Sequence, residues 1–174
     1  GDGPFHPNSR YSAVQITDGT SSTIAATEVK AFTPYFRNSA DPGPTPPSSP
    51  GQLATYAPGS QFKLGSDTNS NTGHTEWPDG RVHHSGYTAT FAPNTEVLYT
   101  HTDGNTYDVD YNSRQEGKSA SQRTYAAITA RSYHSGTINV VFLDGSVHSI
   151  SDGISLATWR ALSTRAGGET PSDY

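Results

Sequence analysis

A chain of 174 residues is long enough to bury a core and most simply makes one domain. With 11 Lys and Arg against 16 Asp and Glu, and a net charge of -5, it lacks the grouped cations that a nucleic-acid partner requires. Cysteine is absent, which excludes disulfides and thiolate chemistry, and no apolar run is long enough to span a bilayer. Only 31% of residues are apolar and 16% charged, while 17 Gly, 12 Pro and abundant Ser and Thr fill the difference. That mix suits a β-rich, loop-rich protein. A chain that starts at Gly1 and holds no methionine is expected to be a processed product or a fragment, with any signal or anchor ahead of Gly1.

In chain order, "YSAVQITDGTSSTIAATEVKAF" places a turn at Asp18 and Gly19, followed by a strand or a single helical turn. Residues 39–60, "SADPGPTPPSSPGQLATYAPGS", read as a Pro/Ser-rich insertion on the surface and a candidate for O-glycosylation, because prolines withhold donors and keep their neighbours extended. No Asn-x-Ser/Thr sequon is present. From Gly73 the pattern predicts a turn at Pro78, Asp79 and Gly80, then strands over 87–91 and 96–100. Residues 101–125 are polar throughout and read as a long loop. Apolar-rich runs at 139–143 and 146–151, joined by Asp144 and Gly145, predict a hairpin with a type I′ turn. Leu156, Trp159 and Leu162 then recur at helical spacing, with Ser155 placed to cap the start and Gly167 to stop it.

Several groups of side chains carry chemistry. His74, Glu76, His83 and His84 flank the turn at 78–80; an extended segment puts His74 and Glu76 on one face, and the turn returns His83 or His84 toward them. Two imidazoles and a carboxylate suit zinc or another borderline ion with a position left for water. With His134 added, the set His74, Glu76, His83 and His134 is the candidate centre of a hydrolase; Glu76 with Asp79, or with Glu96, offers a carboxylate pair for glycoside hydrolysis. The oxygen donors Asp103, Asn105, Asp108, Asp110 and Asn112 suit calcium, although Arg114 stands where an EF-hand carries its bidentate Glu. Trp77, Tyr87, Tyr99, Tyr107 and Tyr111 offer aromatic faces for a glycan or anchors for loops. No Gly-x-Ser-x-Gly elbow supports a serine nucleophile.

The run "TYAAITARSYHSGTINVVFLDGSVHSISDGISLATWRALSTRAGGE" resembles the C-terminal end of a large bacterial family of unknown function, domain of unknown function family 1559. Its members begin with a type IV prepilin cleavage and methylation segment. His134, Gly136 and Asn139 fill a His-x-Gly-x-x-Asn element, and residues 144–147 fill Asp-Gly-Ser-Val. "ITDGTSSTI" is similar to the family's Asp-Gly-Thr-Ser-Asn-Thr signature, with Ser22 where Asn is commoner, and "GHTEWPDGRVHHSGYTATFAPNT" is similar to the central motif of one subgroup. The resemblance implies a pilin-like protein exported by a prepilin route, but neither the cleavage segment nor its apolar helix is in this sequence. No catalytic residue transfers from the family.

The expected architecture is α+β and mostly antiparallel β, a pilin-like sheet with long loops and one short C-terminal helix. Residues 1–174 are expected to form a single extracellular domain interrupted at 39–60. The expected role is a secreted structural subunit, a homo-oligomer of a filament or cell-surface layer. A glycan-acting hydrolase or a glycan- or solute-binding module is the alternative.

Overall fold

The computed structural model describes residues 2–38, 47–56, 61–65, 71–169, 171 and 174. Its elements are β1 (Ile24–Thr27), β2 (Tyr35–Arg37), α1 (Pro50–Ala54), β3 (Gln61–Lys63), α2 (Val82–Ser85), β4 (Leu98–Thr100), β5 (Thr106–Asp108), β6 (Asp110–Asn112), β7 (Ala126–Ala127), β8 (Thr137–Phe142), β9 (Val147–Ser151) and α3 (Leu156–Leu162). This is an α+β fold in which, among the described residues, every strand pair but one is antiparallel; β2 and β6 run parallel. The chain divides into two compact units, one of Gly1–Glu28, Ala92–Asn94 and Ala130–Tyr174, the other of Val29–Phe91 and Thr95–Thr129.

The first unit is built on a three-stranded sheet in the order β1-β8-β9. Alternation along β8 buries Ile138, Val140 and Phe142, and these join Ile24, Ile150 and the Trp159, Ala161 and Leu162 face of α3 among the unit's buried residues. Ser155 caps α3 as its spacing predicts, its hydroxyl accepting from the Thr158 N–H at 3.0 Å. The Asp-Gly-Thr signature has a structural use. Asp18 accepts the Gly167 and Gly168 N–H groups at 2.7 and 2.9 Å, while the carbonyls of Thr20 and Thr23 receive the Asp144 and Leu143 N–H groups.

The hairpin between β8 and β9 forms, with a different turn from the one predicted. Gly145 N–H donates to the Phe142 carbonyl and Phe142 N–H to the Ser146 carbonyl, which leaves a three-residue loop. Gly145 alone is left-handed, at φ 88°; Asp144 is not among the positive-φ residues. A three-residue loop needs one such position where a type I′ turn needs two.

The second unit contains a four-stranded sheet, β3-β2-β6-β7, and the separate hairpin β4-β5. Its core is Phe36, Leu53, Phe91, Val97, Val109, Tyr111 and Ala127, with Tyr56, Phe62, Tyr99, Tyr107 and Tyr125 packed against it. Three expectations are corrected here. The polar stretch at 101–125 is not a loop throughout: it supplies β5 and β6 and buries Asp110, Asn112, Ser113 and Gln115. Residues 87–91 form no strand. Part of the Pro/Ser-rich insertion folds into α1, where Ser49 caps with its hydroxyl and Leu53 is buried, because proline at the first helical position costs no hydrogen bond. Residues 39–46 and 57–60 of that insertion lie outside the described residues.

Candidate functional site

The cluster singled out at 74–84 does gather, though not on a hairpin. The Asp79 N–H donates to the Glu76 carbonyl at 2.8 Å, closing a turn that puts both carboxylates on one side. The short helix α2 follows at once, and the His74 N–H donates to the His83 carbonyl at 2.9 Å. His74 itself sits in the left-handed region at φ 56°. A non-glycine residue held there marks a backbone shaped for local geometry rather than for propensity.

The three imidazoles have different surroundings. His83 is fully buried, stacked on Tyr35 at 4.7 Å, with its Nδ1 3.2 Å from the Asn112 side-chain amide. Burial pushes it down to about 3, so at neutral pH it is an uncharged ring. His84 lies 4.4 Å from His83, ring centre to ring centre, and its Nε2 faces Glu76 Oε2 at 3.4 Å. Burial lowers its pKa as well, against the opposing pull of Glu76 and Asp79. His74 turns Nδ1 toward the His84 carbonyl at 3.3 Å and Nε2 toward Asp110 Oδ2 at 3.9 Å.

A second layer holds the carboxylates. Tyr35 donates to Asn71 Oδ1 at 2.9 Å, and the Asn71 amide donates to Glu76 Oε1. Burial raises the Tyr35 hydroxyl to about 12, keeping it a donor across the physiological range. Asp79 accepts from the Arg81 N–H at 3.0 Å and from its guanidinium. Burial works to raise the Asp79 carboxyl, but these Arg81 contacts outweigh it and hold it below the usual carboxylate range. Among the described residues, Glu76, Asp79 and His84 can each offer one ligand atom within 4.8 Å of the others'. The sequence grouped Glu76 with His84 as metal ligands and, separately, with Asp79 as a carboxylate pair; the structure brings all three together. Asp110 and Asn112 as partners of the histidines had no local signal.

The other candidates go elsewhere. His134 belongs to the first unit, with its Nε2 3.3 Å from Glu28 Oε1. Of the five oxygen donors considered for calcium, Asp103 accepts from the Asn105 N–H and the Tyr107 hydroxyl across the β4-β5 turn. Asp108 accepts from the Val97 N–H, Asp110 from the Thr129 N–H and Asn112 from the Arg114 N–H. Each of these four accepts from a backbone N–H, on two strands and one turn. Trp77 is 84% exposed beside the carboxylates, whereas Tyr111 is buried and Tyr99 and Tyr107 pack on the core of the second unit. Glu96 is exposed and outside the cluster.

An α+β chain of two compact units, one carrying a His-carboxylate cluster and the other the Asp18, His134 and Asn139 motif positions, is the class that these observations define. Residues 1–157 match the family model described as "Protein of unknown function (DUF1559)", and the chain belongs to that family. Searches of the curated proteins and of the solved structures each gave no match. No helix among the described residues is long and apolar enough to cross a membrane.

Proposed function

We propose that the chain is a secreted structural subunit that assembles with copies of itself into an extracellular filament or surface layer. The observation that carries this reading is the β9 edge. Among the described residues no strand lies beyond β9, so alternate N–H and C=O groups of Val147–Ser151 face outward without a ladder partner. The opposite edge, β1, is interrupted by a bulge between Ile24 and Ala26, a common device against pairing. β9 carries neither bulge, proline, lysine nor carboxylate, and Val147 is 65% exposed across from Val141. An extended segment of a second copy supplies the missing ladder by strand addition. A contact between unlike surfaces propagates into a filament when its rotation does not close a ring. The family resemblance to prepilin-type proteins points the same way.

Light scattering after size exclusion, with electron microscopy of the same fractions, tests it. The expected result is concentration-dependent assembly that Val147→Lys suppresses while leaving the melting temperature unchanged, because the substitution charges the edge from an exposed position. A native chain that stays monomeric at high concentration, with calcium present, would overturn the proposal.

A further inference from the structure

We infer that Glu76, Asp79 and His84 form a binding site for a divalent transition-metal ion of the zinc class, with water completing the shell. The three side chains bring one donor atom each within 4.8 Å of one another. The 3.4 Å between His84 Nε2 and Glu76 Oε2 is long for a charge-assisted hydrogen bond. It is about the edge of a tetrahedron whose metal–ligand bonds are about 2.1 Å.

The independent observation is the state of His84. Its side chain is 1% exposed and aims Nε2 at the carboxylate, while its Nδ1 is buried with no hydrogen-bond partner. The observation that points to a ligand is Nε2: it belongs to a buried side chain, it is aimed between two carboxylates, and at 3.4 Å from Glu76 Oε2 it closes no good hydrogen bond.

The carboxylates are held from behind, as metal ligands usually are. Asn71 occupies Glu76 Oε1 and leaves Oε2 facing His84; Arg81 fixes the orientation of Asp79, whose remaining lone pairs stay open to a cation. An imidazole nitrogen in the donor set favours a borderline ion over calcium, which prefers oxygen throughout. Glu76, half exposed, gives the ion a way in from solvent.

Zinc titrated calorimetrically into the chelator-treated chain tests the site. Cobalt serves as a second probe, because exposed Trp77 lies between two of the ligands in sequence and its fluorescence is quenched by a paramagnetic ion bound there. The expected result is saturable uptake of one zinc ion per chain, with cobalt quenching that zinc reverses. Glu76→Gln and His84→Gln weaken zinc binding by at least about tenfold, and Asp152→Asn, at an exposed position of the other unit, leaves it unchanged. His84 is buried and its variant can fail to fold, so the half-exposed Glu76→Gln, checked for a native circular dichroism spectrum and melting transition, decides the question. No saturable uptake by the folded native chain, or unchanged affinity in folded Glu76→Gln, would overturn the inference. Either result is separate from self-assembly, which rests on β9.

Discussion

Glu28 shows how one side chain can make a family motif structural. Its carboxylate accepts the Asn139 N–H at 2.8 Å and the Asn139 side-chain amide at 3.3 Å, and it lies 3.3 Å from His134. The His-x-Gly-x-x-Asn element thus binds the end of β1 to β8, which gives His134 and Asn139 a role with no catalysis in it. Burial works to raise the Glu28 carboxyl, but the Asn139 N–H and amide, with His134, outweigh it and set its pKa below the usual 4.5. A carboxylate with a lowered folded pKa adds stability that is fully present above the unfolded value and is lost as pH falls through the folded one. Glu28→Gln, which turns one acceptor into a donor, is therefore expected to cost about 1 kcal/mol at neutral pH, at the lower end because the side chain is a third exposed. Urea unfolding of both proteins measures this, and the gap must narrow as pH drops below about 4.5. A gap that is constant with pH would mean that charge has no part in it.

At the scale of elements, the β8-β9 turn separates backbone chemistry from active-site chemistry. Gly145 is left-handed, and a Cβ placed there meets nothing within 4 Å, so Gly145→Ala strains the backbone without a clash. The expected cost is about 1 kcal/mol, read as a lower urea midpoint. Asp144→Asn is expected to be nearly neutral, since an amide oxygen still accepts from the Ser146 N–H, which Asp144 Oδ1 now receives at 2.9 Å. Serious loss of stability in Asp144→Asn would show that the carboxylate's charge matters beyond the turn. This hairpin and α3 were legible in the sequence because their signals are local: a Gly at a turn, alternation along β8, Ser155 before a helical stripe. The 101–125 stretch was not, because polarity usually means solvent. Here Asp110 and Asn112 are buried, and their partners, Thr129 and His83, stand 19 and 29 residues away. The His-carboxylate cluster was half legible. Its histidines and Glu76 stand out around a Pro-Asp-Gly turn, but strand alternation was the wrong geometry, and α2 with the left-handed His74 brings His84 to the carboxylates instead.

At the scale of the molecule, neither compact unit is a continuous piece of chain. The backbone passes between them after Glu28, Phe91, Asn94 and Thr129, so the first unit is complete only when residues from both ends of the sequence meet. The Glu28 to Asn139 contact spans 111 residues. Closing so long a loop has an entropic cost before any contact compensates it, which places this sheet late in folding. Residues 1–28 should then be indispensable to the unit rather than an ornament on it. Deleting them removes β1 with buried Ile24, exposes the inner edge of β8, and strips the Gly167 and Gly168 N–H groups of their Asp18 acceptor. Trp159, fully buried in α3, reports the outcome once the chain's one other tryptophan, exposed Trp77, is replaced by Phe. The truncated chain is expected to show red-shifted Trp159 emission and no cooperative transition in urea, whereas the full chain keeps blue-shifted emission and a single transition. If Trp159 remains shielded without residues 1–28, then β8, β9 and α3 hold a core by themselves, and the long-range pairing with β1 closes a structure already formed.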